Sequence, residues 1–303
     1  MGRGVGVSGR AVNVSGRSQT IGVPDAIPDS VVTAGDDPEV SDSEEFDTSD
    51  NTTQLINSLN NKVRGPVVTY VSGFGWVSAG GRDSNNAEIA NVEYLNKVSG
   101  TWDDSKIPNM PNKRWEAAGC THKGYAVIAG GFDGISANKD LDYLDVESLT
   151  WATSSALPNG INQCACGEDG DFVYAAGGIN DSDGFQRWDL SSDSWDTSIT
   201  DVPYSQQFGH LAGFNNKNKL VLCGGTSGGS TTDLTYIYDA DTDSWTQGQS
   251  MNTAAERGGE LIRGNKMYVV GGETDKIQEY DIDADDWTTV ASLSESRAYV
   301  GAG

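Results

Sequence analysis

Apolar and polar residues alternate over short runs along most of the chain. The segments "KMYVV" (266–270) and "YIYDADTDSW" (236–245) are typical. A period of two over five or so residues predicts half-buried antiparallel strands. No stretch sustains a helical period, so the expected class is all-β. A short apolar strand repeatedly runs into a double glycine, at Gly80-Gly81, Gly130-Gly131, Gly177-Gly178, Gly224-Gly225 and Gly271-Gly272, at intervals of 50, 47, 47 and 47 residues. Each pair is followed by a polar loop, an aromatic residue and then a tryptophan. These pairs are Tyr94/Trp102, Tyr143/Trp151, Trp188/Trp195, Tyr238/Trp245 and Tyr280/Trp287, always seven or eight residues apart.

Fixed order and spacing give each mark a physical reading. A double glycine at a strand end suits a backbone that passes too close to its neighbour for a Cβ. One large ring pair per repeat is enough apolar area to anchor each interface. A period near 50 with glycine and aromatic marks resembles the kelch repeat, whose units are four-stranded propeller blades. The resemblance covers residues 64–296. It implies tandem blades with polar loops gathered on one face.

The chain ends "SRAYVGAG" (296–303), which reads as a first strand with no hairpin to follow it. Arg297 stands where Arg64, Arg114 and Arg257 stand before their double glycines, and the missing strands are expected at the other end. "DSVVTAGD" (29–36) reads as a second strand, with Gly35 as its first glycine. "SEEFDTSDNTTQLINSL" (43–59) aligns without gaps to "IQEYDIDADDWTTVASL" (277–293), with Phe46 in the place of Tyr280 and Thr53 in that of Trp287. The expected architecture is therefore a six-bladed kelch-type β-propeller over 29–303. Its sixth blade is closed by N-terminal strands plus the C-terminal strand, and residues 1–28 form a separate Gly/Ser/Arg arm.

Charge adds a second constraint. Acidic residues outnumber basic ones 44 to 20, for a net charge of −24. Residues 1–28 hold Arg3, Arg10 and Arg17 against Asp25, a net +2, which leaves −26 on the rest. Repulsion on that scale is tolerable where salt screens it, and the acidic, lysine-poor composition resembles that of halophile proteins. A nucleic-acid partner is disfavoured for want of a basic footprint. No apolar run approaches the roughly 20 residues of a membrane span, and the basic start lacks the apolar core of a secretory signal. Cys120, Cys164, Cys166 and Cys223 show neither a disulfide framework nor zinc spacing and read as small core residues.

Candidate chemistry follows from the loops. Those at 82–88, 132–140, 180–184, 226–233 and 273–276 are short and rich in Asn, Ser and Asp, which suits contact with a protein rim or a glycan as well as ordinary turns. The resemblance places Arg64, Arg82, Arg114, Arg257 and Arg297 near a channel mouth, as a cationic ring able to hold carboxylates. The competing reading pairs them with acids of adjacent blades. Asn85, Asn138 and Asn180 complete the candidate face, and Arg3, Arg10 and Arg17 the candidate assembly arm.

Alternate aspartates in 239–245 and 281–287 lack the glycine and glutamate of an EF-hand, so no metal site is assigned. His122 and His210 are expected at opposite ends of the channel, with no nucleophile–base constellation and no cofactor. The expected function is a non-catalytic binding or structural propeller. Its arm would anchor it in a larger assembly of a high-salt system, such as a virion surface or tail protein. The alternatives are a soluble sugar-acting enzyme of the same fold or a free protein-interaction adaptor.

Overall fold

The computed structural model describes residues 30–34, 43–49, 51–96 and 99–302, so the arm, with Arg3, Arg10 and Arg17, and Gly35 lie outside the described residues. Strands β1 (Ser30–Ala34), β2 (Ser43–Asp47) and β3 (Thr52–Ile56) come first. Then follow β4 (Val67–Val71), β5 (Gly75–Ala79), β6 (Val92–Asn96), β7 (Thr101–Asp103), β8 (Ala118–His122), β9 (Tyr125–Ala129), β10 (Leu141–Asp145) and β11 (Thr150–Thr153). The next repeats comprise β12 (Ala165–Glu168), β13 (Val173–Ala176), β14 (Phe185–Asp189), β15 (Ser194–Asp196), β16 (His210–Phe214) and β17 (Lys219–Cys223). A small ribbon, β18 (Thr226–Ser227) and β19 (Ser230–Thr231), interrupts the fourth repeat before β20 (Thr235–Asp239) and β21 (Ser244–Gln247). The last are β22 (Gly259–Arg263), β23 (Lys266–Val270), β24 (Thr274–Asp281), β25 (Asp286–Arg297) and β26 (Gly301–Ala302).

Five antiparallel four-stranded sheets are contiguous in the chain: β4–β7, β8–β11, β12–β15, the set β16, β17, β20 and β21, and β22–β25. These are the blades of a kelch-type β-propeller. A further four-stranded sheet runs β26, β1, β2, β3, drawing on both ends of the described chain. Innermost strands β4, β8, β12, β16 and β22 lie side by side in that order, and β26 lies between β22 and β4.

The second strand of each blade is sandwiched between sheets. In β23 the four residues Met267–Val270 are all buried, so "KMYVV" is covered on both faces rather than half-buried. A continuous apolar run is what a strand with two dry faces requires.

The first glycine of each pair is a close approach to the next blade, and the second to the lead-in of its own blade. A Cβ on Gly130 would stand 2.4 Å from the Ile161 carbonyl of the next blade, and one on Gly131 2.9 Å from the Trp115 carbonyl. Both residues have positive φ. The second glycine donates its N–H across the seam, Gly81 to Arg114, Gly131 to Ile161, Gly178 to Gln206 and Gly225 to Ala255, while Gly272 donates to Arg297 at the end of β25, all at 2.8–2.9 Å.

The outer edge is pinned by tryptophans. Trp151, Trp195, Trp245 and Trp287 each donate the indole N–H to a carbonyl of the preceding blade, on Pro108, Ser155, Thr200 and Gln249. In the split sheet, Phe46 pairs with Thr53 as Tyr280 pairs with Trp287. The Thr53 hydroxyl donates to the Ser292 carbonyl at 3.3 Å. A hydroxyl thus makes, on the fifth blade, the bond that an indole makes elsewhere.

The entry of the C-terminal strand differs from the sequence expectation. Arg297 does not open an innermost strand; it is the last residue of β25, paired with Thr274. The innermost strand is β26, and Gly301 and Ala302 pair with Ala34 and Thr33 of β1.

Candidate functional site

The residue two positions ahead of each innermost strand is turned into the left-handed region: Gly65 (φ 60°), Glu116 (52°), Gln163 (60°), Phe208 (55°), Arg257 (59°) and Tyr299 (54°). Such conformations are costly outside glycine and persist only where the surroundings fix them. Here they turn each chain so that its amide reaches the previous repeat. Gln163 donates to Glu116, Phe208 to Gln163, Arg257 to Phe208, Val300 to Arg257 and Gly65 to Tyr299, at 2.7–3.3 Å. This chain of backbone bonds rims one end of the central channel around a cavity of about 100 Å³.

Position relative to the left-handed residue decides the fate of each arginine. Arg114 and Arg297 stand two residues before it and point into the sheets. The Arg114 side chain has no exposure, forms an ion pair with Asp142 and donates to the carbonyls of Gly130 (3.0 Å) and Asp140 (3.1 Å). Arg297 is 2% exposed and meets Glu44, also 2% exposed, at 3.2 Å. Asp142 is the second residue of β10 and Glu44 the second of β2, so the two pairs are the same device in two sheets. Neither arginine is presented to a ligand, which corrects their assignment to the binding face.

Arg64 stands one residue before the turn and Arg257 at it, and both reach the mouth. Arg64 lies over the rings of Trp115 (4.8 Å) and Tyr299 (5.1 Å), Arg257 over Phe208 (4.1 Å) and Tyr299 (5.2 Å), and Arg82 over Trp115 (3.7 Å). Tyr299 sits 5.8 Å from both Trp115 and Phe208, which makes one continuous aromatic floor. Acids flank the guanidinium groups. Arg82 bonds Glu88 at 2.7 and 2.9 Å, and Arg257 bonds Glu256 and, at 2.7 Å, Glu273. Burial would raise the Glu88 carboxyl, but its own backbone N–H, Arg82 and Lys113 together bring it below the ordinary value. Glu116, in the rim itself, is pushed up by burial despite hydrogen bonds from Gln163 and Asn162.

The three candidate asparagines do not converge. Asn85 is exposed and bonds Asp83 within its own turn. Asn180 is exposed and donates to the Gly160 carbonyl at 3.2 Å. Asn138 is only 8% exposed, and its backbone joins Gly131 to Ile161. It belongs to the blade seam and not to the binding face. The acidic turns are likewise engaged in folding: Asp243 accepts from the Tyr238 hydroxyl and the Thr200 N–H, and Asp285 from the Tyr280 hydroxyl and the Gln249 N–H.

At the opposite end, the channel widens into a chamber of about 470 Å³ that Thr69, Cys120, Thr121, Glu168, Asn215 and Glu260 help to line. His122 ends β8 and bonds Glu168 at 3.1 Å, whereas His210 begins β16 and bonds Glu260 at 3.1 Å. Burial raises the Glu260 carboxyl, and the hydrogen bond from His210 offsets part of that rise. Among the described residues no three His, Cys, Asp or Glu side chains are placed to hold a metal ion, and no helix is long and apolar enough to cross a membrane.

The aromatic floor was not legible among the sequence candidates. Matched at the left-handed turn, Phe208 and Tyr299 occupy the turn itself, and Trp115 stands one residue before it, in register with Arg64. Alignment on arginine mixes three different registers.

Comparison with known proteins agrees with this architecture. Residues 215–252 match the kelch motif. Kelch-like protein 35 of Mus musculus is 24% identical over 176 residues, 57% of this chain and 29% of the mouse protein. The chain thus spans well under half of that relative. The solved structure of YjhT superposes with a TM-score of 0.73 at 15% identity, covering 86% of this chain and 94% of that one. The chain folds as a kelch-type β-propeller and carries the kelch motif in its fourth blade.

Proposed function

We propose that this propeller is a binding module whose arginine–aromatic mouth receives carboxylate groups of a protein partner. The observation that carries this reading is the convergence of Arg64, Arg82 and Arg257 on the Trp115–Tyr299–Phe208 floor. A guanidinium stacked by its face on a ring is held flat with its edge N–H groups aimed at planar acceptors, the part that Glu88, Glu256 and Glu273 play at Arg82 and Arg257. On a chain of net charge −24, these arginines concentrate positive charge among glutamates, and an acidic ligand would take the place of Glu88, Glu256 or Glu273 at their edges. The polar loops at 82–88, 132–140, 180–184, 226–233 and 273–276 would form the outer rim of the same face.

The split sheet serves as a sixth blade that closes the ring. The Thr53–Ser292 link, the Arg297–Glu44 pair and the place of β26 between β22 and β4 support this reading. The arm, with Arg3, Arg10 and Arg17, would anchor the propeller in an acidic assembly of its own kind. A high-salt setting such as a virion surface or tail suits the charge.

The test is titration of tryptophan fluorescence with a glutamate-rich peptide. Wild type should respond saturably and lose affinity as salt rises. Arg64→Ala or Arg257→Ala should weaken binding at least tenfold with folding intact. Equal affinity in all three proteins would overturn the mouth as the site.

A further inference from the structure

We propose that Cys120 and Cys166 are a dithiol across the seam between the second and third sheets, and that it oxidises reversibly to a disulfide through the channel. The two sulfurs lie 3.4 Å apart. A disulfide needs ~2.05 Å, so rotation about the side-chain bonds closes a gap of roughly 1.4 Å. Cys120 belongs to β8 and Cys166 to β12, neighbouring innermost strands that share no sheet. A bond between them would join blades otherwise held there by side-chain contact. Sequence spacing hides the relation, because the residues are 46 apart and neither belongs to a C-x-x-C pair.

Access distinguishes the two thiols. Cys120 is partly exposed and lines the 470 Å³ chamber, whereas Cys166 is 1% exposed behind it. A chamber of that size admits a small organic disulfide. Attack begins at Cys120: its thiolate bonds to one sulfur of the reagent, the reagent's S–S bond breaks, and the departing thiolate takes up a proton. Cys166 then loses its proton and attacks the Cys120 sulfur of the mixed disulfide, releasing the second reagent thiol. The protein gives up two protons and two electrons, and the disulfide reagent is reduced to two thiols. The contact with Cys120, and after it burial, hold the Cys166 thiol protonated, so it serves as the resolving partner and not as the first nucleophile. Cys164 and Cys223 are buried and stay outside the exchange.

The experiment uses the full chain and oxidised glutathione. After incubation, denaturation and alkylation, the reduced protein should carry four labels and the oxidised protein two. Peptide mapping should find Cys120 joined to Cys166. The thermal midpoint should rise on oxidation and return with dithiothreitol. Cys120→Ser, altering the partly exposed partner, should abolish the cross-link while keeping the native circular dichroism. Cys166→Ala should instead stop at a glutathione adduct on Cys120. Four labels after oxidation, a persistent adduct on wild-type Cys120, or a cross-link through Cys164 or Cys223 would each overturn the assignment.

Discussion

A single arginine can mean opposite things in this molecule, depending on one or two positions along the chain. Arg297 is buried against a buried Glu44, so Arg297→Ala leaves an uncompensated carboxylate and should cost ~3–5 kcal/mol. Arg64 is stacked at the mouth, and Arg64→Ala should cost only about 1 kcal/mol of stability while weakening ligand binding. Urea unfolding of the two variants side by side checks the contrast, and equal losses would contradict it. The buried thiols give a second residue-scale expectation. Burial holds the Cys164 thiol up to about 12, well above an exposed thiol near ~8.5. Between those values the native protein keeps a proton that the unfolded chain has released. Stability should therefore be intact below pH ~8.5 and fall as pH rises toward 12. Unfolding curves at pH 8, 9 and 10 should show the decline, and Cys164→Ala should flatten its slope by about 1.4 kcal/mol per pH unit.

Strands were more legible than their exact use. The double glycines and tryptophans marked five blades because glycine suits the close backbone approaches at each strand end and, at Trp151, Trp195, Trp245 and Trp287, an indole pins an outer edge. Thr53 carried no such mark, yet it keeps the register of Trp287 and makes the equivalent bond. The mouth was half legible. Arginines are conspicuous, but their direction depends on a left-handed turn that Glu116, Gln163, Phe208, Arg257 and Tyr299 all adopt without a shared side-chain type. The extension of β25 through Arg297 was hidden for a similar reason, since its pairing rests on backbone bonds to β24. β26 offers a test at this scale. A Cβ on Gly301 would come within 2.5 Å of Val68 Cγ2 and 2.8 Å of the Pro66 carbonyl. Gly301→Ala should cost about 1–3 kcal/mol through overpacking against β4. An unchanged melting midpoint would mean that β26 does not seat there.

For the whole molecule, charge and topology set the conditions of stability. Residues 29–303 carry −26, and at low salt this repulsion acts over tens of ångströms, against ~3 Å at molar salt. The thermal midpoint should rise steadily from dilute buffer to molar potassium chloride; a flat or opposite dependence would remove the high-salt reading. Removing residues 1–28 should leave the circular dichroism of the propeller unchanged but reduce its native assembly mass, as read by sedimentation in molar salt. The split sheet has a further, mechanical consequence. Thr33 pairs with Ala302 and Ala34 with Gly301, in antiparallel register, so residues 30 and 302 leave the pair in the same direction. Tension applied between those two points would open the seam like a zipper, one hydrogen bond after another, instead of shearing several together. The pair would then part under a gentle pull between residues 30 and 302, and optical-tweezer traces should begin with a small, low-force step that releases β26 before any blade yields.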